Sequence, residues 1–288
     1  MSKVAIITDS NSGITQAQAK ELGICVIPMP FMIDDCEYYE DINLTQDEFY
    51  EKLRGNCKIS TSQPTPDAVM TAWDEALKDY DEVVYIPMSS GLSSSYRTAL
   101  MLSEDYDEKV EVVNNQRISV TMRQSVLDAM GLAIQGMSAK DIRRTLEDDR
   151  FNSSIYIMLD TLEYLKRGGR LTPAAALLGQ FLKIKPVLQI QGEKLDTFAK
   201  VRTVSQAKHT MNNQILKDVT ERFGCPASGK GMMIMVAHTQ NDAAAEEYME
   251  ELKAMFPEAG YRVDPLSLSV SCHIGPGALA VACTKNLL

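Results

Sequence analysis

Glu82-Val83-Val84-Tyr85-Ile86-Pro87-Met88-Ser89-Ser90-Gly91-Leu92-Ser93-Ser94-Ser95 is an apolar run that breaks into a hydroxyl-rich loop around one glycine. Its Val, Tyr and Ile residues read as a strand, and a helix beginning near Ser94 and running through Tyr96 to Met101 is expected behind the loop. A strand that ends in serines and feeds a helix forms a polar cup. The first N–H groups of a helix lack intrahelical partners, and its N-terminal end is the positive end of the dipole, so the cup favours an anion. Serine is also a common helix cap. From this stretch alone both readings stand.

Working outward, the same rhythm fills the first half of the chain. Val4 to Ile7, Cys25 to Pro28 and Val110 to Val113 are short apolar runs, and Gln16 to Leu22, Thr45 to Leu53, Pro66 to Leu77, Thr121 to Gln135 and Asp141 to Asp149 are helical stretches between or after them. That alternation predicts a parallel α/β sheet. The second half reads as α+β with some antiparallel pairing. Strands are expected at Ser154 to Met158, Pro186 to Ile190, Met232 to Ala237, Val263 to Val270 and Ala278 to Ala282, with a hairpin-like turn at Gln191 to Lys194. Helices are expected at Pro173 to Leu182, Val204 to Phe223 and Ala243 to Phe256. The expected domains are residues 1–150 and 151–288.

A net charge of −10 over 288 residues argues against a nucleic-acid partner, because backbone phosphate is bound largely through Lys and Arg. Six cysteines, Cys25, Cys36, Cys57, Cys225, Cys272 and Cys283, show no C-x-x-C pair and no recurrent spacing, which indicates neither a metal site nor a disulfide framework. Reduced thiols suit a cytoplasm. The first apolar run stops at Thr8-Asp9, and no later run approaches the ~18 apolar residues of a membrane span. A soluble, cytoplasmic protein is expected.

Several short motifs imitate chemistry. Gly224-Cys225-Pro226-Ala227-Ser228-Gly229-Lys230-Gly231 fits G-x-x-x-x-G-K, but Gly231 stands where a magnesium-binding hydroxyl belongs and the loop precedes a strand. Gly275-Pro276-Gly277-Ala278-Leu279-Ala280 fits G-x-G-x-x-A without the crossover helix and second strand that a dinucleotide site needs. Gly91-Leu92-Ser93-Ser94-Ser95 lacks the second glycine of a nucleophile elbow. Cys272 and His273, read as strand neighbours, point to opposite faces and make a poor thiolate–imidazole pair. Asp9-Ser10-Asn11-Ser12-Gly13 reads first as a turn.

Two further loops carry polar groups. In Ser60-Thr61-Ser62-Gln63-Pro64-Thr65-Pro66, Thr65 and Pro66 are placed to cap and begin a helix, which leaves the Thr61 hydroxyl to face a ligand. Ser271 to Gly277 is expected to carry His273 in a turn between two strands. From Asp160 to Thr210 nine basic residues face four acidic ones, against the sign of the whole chain. That asymmetry points to an anionic partner, or simply to a solvated basic face.

The early Asp9-Ser10 loop, Thr61-Ser62-Gln63-Pro64, Ser89-Ser90-Gly91-Leu92-Ser93, Tyr164-Leu165-Lys166-Arg167-Gly168-Gly169-Arg170 and His273-Ile274-Gly275-Pro276-Gly277 together resemble the DegV family, in the same order and spacing and over nearly the whole chain. The resemblance implies a two-domain α/β fold, with an N-terminal parallel-sheet domain and a C-terminal α/β domain with an antiparallel sheet. It also implies a fatty-acid-binding protein, several relatives being the carrier subunit of bacterial fatty acid kinase. The acyl carboxyl group would lie at the domain junction, held by Thr61 and Ser93 with His273 close by; Ser62, Gly91, Ser94 and Gly275 belong to the supporting loops. Ser94-Ser95 replaces the Gly-Thr of many members, which should alter loop packing more than binding. The ligand would be a long-chain fatty acid, with no catalytic cofactor. The partners would be a fatty acid kinase, which forms the acyl phosphate, and an acyltransferase that serves phospholipid synthesis, with transient contact with a membrane surface. Arg170 and Arg202 are the expected contacts for phosphate or kinase, since guanidinium groups suit phosphate oxygens. The tail would draw on Met158, Leu159, Leu162, Leu165, Leu177, Leu178, Phe181 and Leu182. An acyl ester hydrolase using Ser93 and His273 is the alternative, and an interaction module working through the basic face is a third reading.

Overall fold

The computed structural model describes residues 2–55, 57–172 and 184–288. Two compact units emerge, the first comprising Met1–Arg150 with Ser267–Ser269 and Leu287–Leu288, the second Phe151–Leu266 with Val270–Asn286. The architecture is mixed α/β, with a parallel sheet in the first unit and a mostly antiparallel one in the second.

In the first unit, β1 (Val4–Asp9), β2 (Cys25–Ile27), β6 (Glu82–Ile86) and β7 (Val110–Val112) pair in parallel in the order β2-β1-β6-β7. Their near-continuous apolar sequence follows from burial on both faces. Ile6, Val84 and Ile86 pack on one face against α1 (Gln16–Leu22), α5 (Ser119–Ile134) and α6 (Ala139–Asp148). Ala5, Ile7, Val83 and Tyr85 pack on the other against α3 (Pro66–Ala76) and α4 (Ser95–Ser103). The chain leaves β1 towards β2 and leaves β6 towards β7, so the carboxyl ends of β1 and β6 flank a topological switch point. Open α/β sheets bind ligands at such a crevice.

A second, antiparallel sheet in this unit, β4-β3-β5, is not evident from the sequence pattern. It is formed by β3 (Pro30–Ile33), β4 (Cys36–Tyr39) and β5 (Ile59–Thr61), with α2 (Gln46–Arg54) packing Phe49 on Phe31 at 5.8 Å between ring centroids. The β3–β4 hairpin turns on Asp34 and Asp35, both left-handed with φ of 47° and 66°. A two-residue turn of that hand usually carries Asn-Gly or Asp-Gly, and Asp-Asp does not advertise it.

The second unit holds a six-stranded sheet in the order β10-β9-β8-β13-β11-β12. Its strands are β8 (Ser153–Met158), β9 (Lys185–Ile190), β10 (Leu195–Val201), β11 (Met232–His238), β12 (Gly260–Pro265) and β13 (Leu279–Lys285). All neighbours are antiparallel except β11 and β12, which α9 (Asp242–Met255) joins. The core combines Tyr156, Val236 and Val281 with Met211 and Ile215 of α8 (Val204–Lys217) and Tyr248 and Leu252 of α9. The single helix expected to Phe223 is α-helical only to Lys217 and continues as a π turn over Asp218–Arg222. Asp218 is buried there and accepts hydrogen bonds from the Tyr156 hydroxyl (2.6 Å) and Gln214 Nε2 (3.1 Å). The helix expected over Pro173 to Leu182 lies outside the described residues.

The strand expected to continue to Val270 ends at Pro265, and α10 (Leu268–Ile274) replaces its tail. The alternation Leu266-Ser267-Leu268-Ser269-Val270-Ser271 imitates a half-buried strand. Here its serines are buried too, and they hydrogen-bond inward: Ser269 Oγ donates to Asn11 Oδ1 and Ser271 Oγ donates to the Leu266 carbonyl. Polar residues with internal partners no longer mark a solvent face. His273 therefore sits in the last turn of a helix and not between two strands. Among the described residues no helix is long and apolar enough to cross a membrane.

Candidate functional site

The serine loop lies at the carboxyl end of β6. The Ser89 carbonyl accepts from the N–H groups of Leu92 (3.0 Å) and Ser93 (3.2 Å), which folds the loop into a tight turn, and the Ser89 N–H donates to the Arg117 carbonyl (3.0 Å). α4 begins at Ser95, one residue later than the sequence suggests, and Ser94 is exposed and makes no side-chain cap. Ser93 does that work. Its Oγ accepts from Ser95 N–H at 3.2 Å and lies 2.8 Å from Ser95 Oγ. The observed cap and the expected anion contact thus fall on the same atom. A hydroxyl has two acceptor sites and one proton. Either hydroxyl of the Ser93–Ser95 pair can donate to the other, so one of their two protons remains to serve an anion.

Asp9, at the end of β1, holds the start of this loop. Its Oδ2 accepts from Met88 N–H (3.0 Å), and its Oδ1 accepts from the Asn11 N–H (2.9 Å) and Asn11 Nδ2 (2.7 Å). Burial pushes the Asp9 carboxyl up to about 6, against the pull of those three donors. The Asp9 to Gly13 segment is a turn, as its composition suggests, with Gly13 left-handed at φ 72°. It also ties together the two strand ends at the switch point.

Thr61 closes β5 in register with Phe31; it is half-buried and engaged with neighbours. Ser62 N–H donates to the Pro30 carbonyl (3.2 Å), and the Gln63 side chain bonds Thr98 Oγ1 of α4 (3.0 Å). That last contact brings the Thr61 loop alongside the Ser93 loop. Thr65 caps α3 through Ala68 N–H (3.2 Å), with Pro66 in the first turn.

In the second unit, three glycines explain how two sequence motifs meet. A Cβ on Gly168 would stand 2.0 Å from His273 Nδ1, one on Gly275 2.2 Å from the Tyr164 ring, and one on Gly277 2.8 Å from Asp160 Oδ2. The 160–168 segment, with α7 (Glu163–Arg167), therefore lies directly against the turn 273–277. Burial pulls the His273 pKa down to about 4, and the nearby Arg170 charge adds to the effect. His273 is neutral at pH 7, with one ring nitrogen protonated and the other carrying a lone pair. Burial lifts the Cys272 thiol to about 11, which removes it as a thiolate partner. For a hydrolase, a histidine of such low basicity is a poor general base.

The two arginines sit in different settings. Arg170 Nη1 donates to the Gly168 carbonyl (2.7 Å) beside His273. Arg202 lines an open cleft of about 500 Å³ with Lys200, Gln206, His209 and Thr210. Met158, Leu159, Leu162 and Leu165 are buried in the second unit; Leu177, Leu178, Phe181 and Leu182 lie outside the described residues. The G-x-x-x-x-G-K match is a loop before β11, and the G-x-G-x-x-A match runs into β13. Among the described residues no three His, Cys, Asp or Glu side chains are placed to hold a metal ion.

Three groups escape sequence reasoning: Asp9 as the clamp on Met88, Ser95 as the partner of Ser93, and Gly168 as the floor under His273. Only the last left a signal, in the paired Gly168-Gly169.

Residues 3–286 match the family model described as "Uncharacterised protein, DegV family". A DegV domain-containing protein of Clostridium acetobutylicum is 30% identical over 288 residues, covering 97% of this chain and 96% of that one. Among solved structures, a DegV-family protein from Thermus thermophilus, described in terms of fatty acid binding, superimposes with a TM-score of 0.88 at 26% identity, over 98% of this chain and 99% of that one. DegV of Bacillus subtilis, described as a fatty acid binding protein, gives a TM-score of 0.88 at 28% identity, over 99% and 100%.

Proposed function

Because this chain belongs to the DegV family, we propose that it binds a long-chain fatty acid and presents the carboxyl group to a fatty acid kinase, without itself catalysing a reaction. The observation that carries this reading is the placement of Ser93 Oγ, which accepts from Ser95 N–H and pairs with Ser95 Oγ at the start of α4, the helix whose Thr98 bonds Gln63 of the Thr61 loop. A fatty acid makes two opposite demands. Its carboxylate needs hydrogen bonds, while each CH₂ of its chain gains about 0.8 kcal/mol on leaving water. Hydroxyls from Thr61 and Ser93 serve the carboxylate oxygens, and a neutral His273 adds an N–H donor without competing as a full charge.

In this reading a carboxylate oxygen attacks the terminal phosphorus of a nucleoside triphosphate held by the kinase, the nucleoside diphosphate leaves as that P–O bond breaks, and the acyl phosphate passes to an acyltransferase that serves phospholipid synthesis. Arg170 and Arg202 offer guanidinium groups for the phosphate or for the kinase surface. Exchange of cargo involves brief contact with a membrane surface through the basic residues of the second unit. Six unpaired thiols suit a cytoplasmic protein. Displacement of a fluorescent fatty acid tests the binding step. The free acid should compete strongly, the methyl ester and the primary alcohol of the same chain weakly. Equal competition by all three would mean that no carboxylate site exists.

A further inference from the structure

Thr239 follows β11 directly and is fully buried. It makes four hydrogen bonds, all to the turn that ends α10. Its N–H donates to the Ala278 carbonyl (3.2 Å) and its carbonyl accepts from Gly277 N–H (2.8 Å). Its hydroxyl donates to the Gly275 carbonyl (2.6 Å) and accepts from Ala278 N–H (2.9 Å). Asn241 Nδ2 adds a bond to the Gly277 carbonyl (3.3 Å). The clamped turn contains Gly275 and Gly277, both left-handed, with φ of 80° and 82°. Glycine bears such angles without steric penalty but also without a side chain to hold them, so the conformation needs an external restraint.

The opposite side of the turn is closed by the Tyr164 ring and Asp160, and His273 rests on Gly168. With one side fixed by packing, the position of the imbalanced element, the C-terminus of α10 with His273, depends on the Thr239 side. A hydroxyl bridges a carbonyl and an N–H at once through a single oxygen. Valine fills the same space and does neither, leaving the Gly275 carbonyl and the Ala278 N–H to lose a partner in a buried site.

We infer that Thr239 is a positioning residue that sets the place of His273 and thereby the affinity for a carboxylate ligand. This rests on the reading of His273 as a ligand contact, and the test separates the two. Only three histidines occur in the chain, so the imidazole resonances of His273 can be assigned by substitution in the ligand-free protein. Thr239→Val should move them and Thr239→Ser should not. In fatty acid titrations Thr239→Val should weaken binding on the order of tenfold or more, as for one hydrogen bond to a charged group. Combined with His273→Ala it should add nothing to the loss that His273→Ala causes alone. Asn241→Ala, which loosens the same turn more gently, should shift the His273 resonances in the same sense and serves if Thr239→Val does not fold. Unmoved resonances in a folded variant, or losses that add in the double variant, would overturn the inference. A wild type that takes up no fatty acid would instead sink the ligand reading, and the resonances alone would then decide whether Thr239 positions His273.

Discussion

Ser93→Ala separates the two duties that fall on one oxygen. Removing Oγ leaves the Ser95 N–H at the start of α4 without its acceptor and the Ser95 hydroxyl without its 2.8 Å neighbour. Loss of such a cap costs about 1 kcal/mol of stability, within a range of roughly 0.5–2. A ligand carboxylate would also lose one hydrogen bond, and bonds to charged groups contribute about 1.5–3 kcal/mol. At about 1.4 kcal/mol per decade this is a roughly 10- to 150-fold weaker dissociation constant. Urea unfolding of the ligand-free protein measures the first effect, and displacement of a fluorescent fatty acid, well below the unfolding transition, measures the second. Ser93→Thr keeps the hydroxyl and should retain most of both. If Ser93→Ala loses about 1 kcal/mol of stability while its affinity stays within about twofold of wild type, the hydroxyl caps a helix and nothing more.

Other perturbations bear on separate parts of the molecule. Gly168→Ala puts a methyl 2.0 Å from His273 Nδ1 and should reduce fatty acid affinity, with overpacking that costs about 1–3 kcal/mol. Gly169→Ala meets no atom within 4 Å but sits at φ 67°; it should cost stability of roughly 1 kcal/mol and leave affinity unchanged in the same titration. Burial raises the Glu40 carboxyl to about 8 although Leu268 N–H donates to it (3.0 Å). The folded state keeps a proton that the unfolded chain releases near pH 4.5, so the contribution of Glu40 is full below that pH and is lost as pH rises towards 8. Glu40→Gln should therefore flatten part of the fall in stability between pH 5 and 8, as followed by denaturant unfolding at each pH. Arg202→Glu should leave fatty acid uptake near wild type and reduce phosphoryl transfer in a reconstituted kinase assay.

The parallel sheet of the first unit was legible because buried strands write themselves as unbroken Val and Ile runs, as at Val83 to Ile86, and because Thr65-Pro66 and Thr45 announce helix starts. The β4-β3-β5 sheet was hidden because its turn is Asp34-Asp35 and its strands are three or four residues long. α10 was misread because alternation predicts a strand only when the polar set meets water, and Ser267, Ser269 and Ser271 are all buried. At the site, the hydroxyl loops could be found from composition, since nothing but a turn explains so many serines beside one glycine. Their geometry could not. That Ser95 serves Ser93, that Asp9 reaches Met88 and that Thr239 grips Gly275 are contacts between residues whose types are ordinary for turns and caps.

The most direct measurement is native mass spectrometry of the protein purified without detergent, followed by solvent extraction of whatever it releases. One long-chain fatty acid bound per chain is the predicted result, retained by wild type and depleted in Ser93→Ala. An empty wild-type protein that also fails to take up added fatty acid would contradict the carrier reading.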